Sequence, residues 1–153
     1  MAKAGTREKP FRDFCNKVDN KLLTGKIIFK NGKYEEVSVD ESIILGNKLV
    51  LIEIDSSNEA KLVAGQYTLL NILRNKPLVQ YEQIVKGKEL VFFVIHCFKK
   101  YNPERSKGNF SLVNREVFND EGLKYGSIHI DDIMNETIDS KEKLLNVINE
   151  HIR

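Results

Sequence analysis

The chain has 153 residues, 41% of them hydrophobic and 30% charged, and a formal net charge of +2. That is one domain's length, 1–153 throughout, with enough chain to bury a core without disulfide or metal staples. No stretch nears the roughly 18 apolar residues of a membrane span, the first residues lack a secretory apolar run, and Cys15 and Cys97 lie too far apart for a CxxC metal motif. These features exclude a membrane-spanning or disulfide-rich class, and we expect a cytoplasmic protein. The weak basic charge permits nucleic-acid binding without arguing for it; distribution has to decide.

Residues 1–8 read as a flexible lead. Pro10 suits the first turn of a helix that runs to about Leu23, with Phe11, Phe14, Cys15, Val18 and Leu22 as its apolar stripe. Glu8 and Asp13, near its start, suit the positive end of the helix dipole. Thr24-Gly25 stops the helix. Lys26 to Lys30 is a short strand, and Asn31-Gly32 is the strongest hairpin signal in the chain. Lys33 to Leu45 returns as one strand or a bent pair. Gly46-Asn47 turns the chain into Lys48–Asp55, a central strand. The expected result is an antiparallel meander that brings Asp40 towards the end of that central strand.

On the central strand Leu49, Leu51, Glu53 and Asp55 share one face, and Val50, Ile52 and Ile54 share the other. Ser56 to Glu59 has the capping-box pattern, Ser56 as N-cap and Glu59 three residues on. A helix follows to about Arg74, with Leu62, Gln66, Leu69, Leu70 and Leu73 at helical spacing. Lys61 falls within two turns of the acids. Residues 75–88 are a polar connection in which Tyr81 and Val85 pack. Leu90–Phe98 is a continuous apolar run, as expected of a strand covered on both faces and paired parallel through a crossover. His96, inside that run, reads as a satisfied core histidine; His129 and His151 read as surface residues.

Lys99 to Asp120 is polar, with Lys99, Lys100, Arg105, Lys107 and Arg115 clustered, and it supports a helix of two or three turns. The group is a candidate phosphate-contacting flap or a solvated loop. Tyr125 to Ile133 alternates as a strand. Asp139-Ser140 opens a last helix striped by Leu144, Leu145, Ile148 and Ile152. The order α, β-β-β, α, β, (α), β, α makes a mixed α/β domain with a sheet of about five strands flanked by helices.

Two acids at the end of an apolar strand are costly to bury unless something pairs with them. Asp40, Glu53 and Asp55 together have the chemistry of a hard-cation site, which takes carboxylate oxygens and keeps several waters. Such an ion lowers the pKa of a bound water and neutralises phosphodiester charge, and a nearby lysine can steady the attacking water or the leaving oxyanion. Read without a ligand, Asp40-Glu41 is a turn pair, Glu53 and Asp55 are salt-bridged to Lys61, and Gln66 is a packing amide.

At these residues the sequence resembles the PD-(D/E)XK nuclease superfamily, as a divergent member. That family's restriction-endonuclease-like core has the same element order across roughly residues 8 to 133. The resemblance implies Asp40 and Glu53 as motif acids, with Glu8 as the extra acid its first helix sometimes adds. The family's lysine would stand at position 55, where this chain has Asp55. In some members the lysine has moved to the following helix, where this chain has Lys61, and Gln66 and Tyr67 resemble polar residues often found there. The implied activity is Mg²⁺- or Mn²⁺-dependent cleavage of nucleic acid, DNA more than RNA, by a homodimer or with a partner subunit. Two rivals remain: a domain of this fold that binds nucleic acid or protein without turnover, which the missing motif lysine favours, and a structural domain whose acids are salt-bridged.

Overall fold

The computed structural model describes residues 7–153. Most of the proposed lead, residues 1–6, therefore lies outside the described residues. In chain order the elements are α1 (Glu8–Val18), β1 (Ile27–Lys30), β2 (Glu36–Val39), β3 (Glu41–Leu45), β4 (Lys48–Asp55), α2 (Ala60–Leu73), a 3-10 turn (Val79–Tyr81) running into α3 (Glu82–Val85), β5 (Glu89–His96), α4 (Glu104–Phe118), β6 (Lys124–His129), α5 (Ile130–Ile133) and α6 (Lys141–Glu150).

Four strands form one mixed sheet in the order β3-β4-β5-β6, antiparallel between β3 and β4 and parallel beyond. β1 and β2 pair separately as an antiparallel ribbon. The fold is thus α/β with a sheet of four strands and a ribbon of two, where the sequence suggested about five in one sheet. Asp40 is the reason for the split: it interrupts the strand, so the return arm is the bent pair, half in the ribbon and half in the sheet. The two-residue β3–β4 turn at Gly46-Asn47 is as read, with Gly46 at φ +62°, a conformation that favours glycine. The β1–β2 turn is longer than Asn31-Gly32 alone, because Asn31 N–H closes onto the Glu35 carbonyl at 2.8 Å.

Two apolar layers flank the sheet. Phe11 and Cys15 of α1 and Leu144 and Ile148 of α6 pack on Val50, Ile52, Ile54, Val91, Phe93 and Ile95. Val63, Tyr67 and Leu70 of α2 and Phe110 of α4 pack on Leu49, Leu51, Leu90, Phe92 and Val94, with the ribbon's Ile27 and Phe29 alongside. Each such side chain contributes about 1.5–3 kcal/mol when fully buried, so the period-2 alternation along β4 is held strongly from both faces. Gly126 of β6 is where the chain end crosses the sheet: a Cβ there would stand 2.5 Å from the His151 carbonyl.

Several boundaries differ from the sequence reading for local reasons. α1 starts at Glu8 and ends at Val18, because Pro10 fits anywhere in the first turn and Asp19 turns extended at φ −160°. α2 starts at Ala60 without a side-chain cap. The Ser56 capping box does not form; Ser57 instead turns back onto Asp55, its N–H and Oγ at 3.3 and 3.1 Å from Oδ1, and that local bond competes with the helix. The buried face of α2 is also rotated from the predicted stripe. Leu70 and Leu73 are inside, but Leu62 and Leu69 are exposed, because Tyr67 takes the core position against Phe92 and Phe110 with ring centroids 6.1 and 5.1 Å apart. α4 has 15 residues rather than two or three turns. β6 ends at His129, where the imidazole Nδ1 accepts the Asp131 N–H at 3.1 Å and the chain coils into α5. Ser140 caps α6 as read.

Candidate functional site

The carboxyl ends of β4, β5 and β6 carry the chemistry. Asp55, His96 and His129 stand in register across them, at the sheet edge where open α/β sheets place their ligands. Asp40 joins from the β2–β3 bend. It lies one residue beyond the Glu41–Ile52 pair and so directly across from Glu53, on the face covered by α2.

Asp40 and Glu53 meet. Their carboxyl groups lie close enough for each to act on the other's hold on its proton. Asp40 Oδ2 also accepts the Ile54 N–H at 2.9 Å. Gln66 reaches down from α2, its Nε2 donating to Glu53 Oε2 at 2.7 Å and to the Ser38 carbonyl at 2.8 Å. Burial, and after it the charge of Asp40, pushes the Glu53 carboxyl up to about 8. Burial also raises Asp40, with the charge of Glu8 adding to it against the Ile54 hydrogen bond. Like charges held at short range disfavour the ionised form of each, and burial acts in the same direction. Among the described residues neither makes a salt bridge.

The other predicted residues fall in three places. Glu8 sits at the start of α1, bonded to Arg12 at 3.2 Å and close enough for its charge to reach Asp40. Asp55 shares the Glu53 face but has its own surroundings, with Ser57 on one side and His96 on the other. Lys61 is in the first turn of α2, exposed, and makes no hydrogen bond or ion pair among the described residues. The predicted salt bridge from Lys61 to the acids therefore does not form.

The basic group divides. Lys99 and Lys100 are exposed just beyond β5, on the same sheet end as the acids. Arg105 donates to Asn58 Oδ1 at 3.1 Å and lies over the Tyr101 ring, tying the start of α4 to the lead of α2. Lys107 is buried and paired with Glu104 at 3.3 Å, so it is not available as a phosphate contact; α4 is longer than the sequence suggested and turns this residue inward.

The sequence reading missed Arg12 and Ser106 and placed the three histidines differently. Arg12 bonds Glu41 Oε2 at 2.7 Å and the Asp40 carbonyl at 3.1 Å; a lone arginine beside an apolar helix stripe was the available signal. His96 is fully buried, its Nε2 3.0 Å from Ser106 Oγ and its ring stacked on Tyr101 at 4.0 Å. Its Nδ1 has no hydrogen-bond partner, so it is not the satisfied core histidine expected. Its place as the last residue of a parallel strand was the clue. His129 and His151 are half-buried rather than surface residues. Ser106 came from a segment read only as polar.

A cleft of about 1080 Å³ lies at the opposite end of the parallel strands, between Lys86, Lys88, Lys124, Asp120 and Glu121. It touches none of the acids, and its basic and acidic groups are interspersed, with Lys124 on Glu89 at 3.0 Å. No helix among the described residues is long and apolar enough to cross a membrane. No family model, no curated protein and no solved structure matches the chain.

Proposed function

We propose that the chain is a divalent-cation-dependent nuclease that hydrolyses DNA phosphodiester bonds, built on a divergent restriction-endonuclease-like core. The observation that carries this reading is the Asp40–Glu53 pair: two carboxyls brought face to face at a strand end, with no salt-bridge partner among the described residues. Such an arrangement is costly for the fold alone. Hard carboxylate oxygens fit Mg²⁺ or Mn²⁺. Asp40 and Glu53 would hold the ion, with Asp55 beside them. When bound, the ion supplies charge neutralisation at the phosphodiester and an activated water.

The chain's own groups do the rest. Gln66 fixes the Glu53 carboxyl by a 2.7 Å bond and is a positioning residue. Glu8 adds negative charge from α1. Lys61, free at the start of α2, is the cation that can follow the attacking water or the leaving oxygen. Lys99, Lys100 and Arg105 lie on the side from which a phosphate backbone would arrive. A domain of this size would work as a homodimer or with a partner subunit, and full activity at a monomeric mass would sink that part.

The test is cleavage of plasmid and branched DNA with Mg²⁺ or Mn²⁺ by the native chain, Asp40→Asn and Glu53→Ala. Loss of a cation ligand is expected to slow cleavage by orders of magnitude, each tenfold being about 1.4 kcal/mol of barrier. A native chain that cleaves none of these substrates with either ion overturns the reading. One observation favours a second reading, a nucleic-acid- or protein-binding domain of this fold without turnover: position 55 is an acid, and Lys61 contacts none of the acids. Binding of DNA without cleavage would select it.

A further inference from the structure

The acids do not all belong to one group. Asp40 and Glu53 face each other, whereas Asp55 faces His96. The His96 ring is held on two sides, by the 3.0 Å contact from Nε2 to Ser106 Oγ and by the stack on Tyr101, whose hydroxyl is 2.7 Å from the same Ser106 oxygen. That clamp aims Nδ1 at Asp55 Oδ2, 3.5 Å away, with the imidazole wholly buried and Asp55 still 13% exposed. The contact is not a hydrogen bond, and Nδ1 has no other partner among the described residues.

A buried ring nitrogen without a partner is costly to the fold, and small rotations would ordinarily remove it. Here rotation is blocked. The tautomer that donates from Nε2 to Ser106 leaves a lone pair on Nδ1 pointing at a carboxylate oxygen. Either the proton of the other tautomer or a metal ion displacing it reconciles the ring nitrogen with the carboxylate. An imidazole whose far nitrogen is fixed by an oxygen partner is also the usual setting of a metal-binding histidine. Exposed Asp55 leaves the pair reachable from solvent, and Ser57 Oγ, 3.1 Å from Asp55 Oδ1, holds that carboxylate in place.

We propose that His96 Nδ1 and Asp55 form a nitrogen–oxygen cation site for a divalent first-row transition ion, distinct from the all-oxygen Asp40–Glu53 pair. This builds on the cation reading of the acids given above and divides them by chemistry. Imidazole nitrogen prefers Co²⁺, Ni²⁺ or Zn²⁺ to Mg²⁺ or Ca²⁺, and affinities rise along the series from Mn²⁺. Ser106 and Tyr101 are positioning residues for the ring. His129 does not compete for the ion, since its two nitrogens are engaged by the Phe98 carbonyl and the Asp131 N–H.

The experiment uses the full chain and CoCl₂ or MgCl₂ alone, without nucleic acid. Calorimetry and Co²⁺ visible absorption are read for the native chain, His96→Gln, Asp55→Asn, Ser106→Ala and Glu53→Gln, each checked for folding by circular dichroism. Co²⁺ binding is expected to weaken more than tenfold in His96→Gln and Asp55→Asn, by roughly tenfold in Ser106→Ala, and to persist in Glu53→Gln. Should the His96 variant not fold, the native chain labelled with ¹⁵N-histidine decides alone. It has three histidines, and the Nδ1 signal of His96 should be the first that Co²⁺ shifts. Co²⁺ binding lost in Glu53→Gln but kept in His96→Gln, an unshifted His96 signal, or no Co²⁺ binding at all overturns the assignment. None of these outcomes depends on cleavage, so the failure of the nuclease reading is seen separately, as a native chain that binds Co²⁺ through His96 and cuts nothing.

Discussion

The β3–β4 pair carries a carboxyl on each of its two faces, buried on one and half-buried on the other, and their surroundings are opposite. On the α1 side, Glu41 is only 7% exposed, yet it accepts Arg12 Nε at 2.7 Å and the Gly25 N–H at 3.1 Å. On the α2 side, Glu53 is given a second acid and an amide. The same strands, a residue or two apart, thus hold one acid that is paired with a cation and one that is not. The first is neutralised by a cation from the neighbouring helix. The second is held by the Gln66 amide, a group that cannot neutralise it. Local conflict of this kind belongs at functional sites, since folding alone would remove it.

The largest effect that bears on this contrast is on stability. Removing one partner of a buried ion pair leaves an uncompensated charge, which costs about 3–5 kcal/mol. Arg12 is partly open to solvent, so Arg12→Ala should fall at about 3 kcal/mol, read from urea unfolding. Glu53→Gln in the same experiment at pH 8 should cost nothing or stabilise. If Arg12→Ala costs no more than an ordinary surface change of about 0.5 kcal/mol, the two faces are not different in the way described.

The pH dependence sharpens the contrast. In the unfolded chain Glu53 releases its proton near the ordinary carboxyl value of 4.5, and in the fold only at about 8. Between those values the folded protein holds a proton that the unfolded chain has lost. Stability is therefore full at low pH and declines as pH rises through this window. The loss should be on the order of a few kcal/mol for the cation-free chain in EDTA, and Asp40, raised in the same direction, adds to it. Glu53→Gln should flatten the slope. A native chain equally stable at pH 5 and pH 8 would mean that the two carboxyls are not coupled as described.

A smaller effect comes from the far end of the same helix layer. There Asn71 accepts the Leu123 N–H at 2.7 Å and donates to the Tyr67 carbonyl at 2.9 Å, so its buried amide is satisfied on both sides. Asn71→Ala orphans a buried N–H and should cost about 1–3 kcal/mol, with no change in cation binding. This tests whether buried polar groups away from the acids serve folding alone.

What could be read without coordinates follows from the range of the forces involved. The alternation along Lys48–Asp55 and the apolar run from Leu90 depend on burial of neighbouring residues, and both strands and their parallel pairing are as expected. The approach of Asp40 to Glu53 came from following the order of the strands, whereas the position of the bend in the return arm was not legible. The Glu41–Arg12 and Asp55–His96 contacts were not legible. They join residues 29 and 41 positions apart, and nothing in local periodicity records which helix face meets which strand end. The failed Ser56 cap shows the same limit at short range: Ser57 turns back onto Asp55 and the helix begins only at Ala60, with no side-chain cap.

Lys61 gives the finest test of the comparison, because it is the cation the acid pair lacks. It stands in the first turn of α2, at the positive end of the helix dipole, where a lysine is unfavourable and no acid accompanies it. It is exposed and bonded to nothing described, so no packing offsets that cost. Lys61→Ala should leave stability unchanged or raise it by roughly 0.3–0.5 kcal/mol. Lys61→Glu should raise it slightly more at low salt. Arg12, by contrast, is a cation the fold depends on. If Lys61→Ala keeps its stability and loses DNA cleavage, a locally unfavourable charge is retained for chemistry at the neighbouring acids. If cleavage is also kept, the α2 face has no working cation from the chain itself, and the reaction must rely on the ion held by Asp40 and Glu53 and on Gln66 to set its carboxylate.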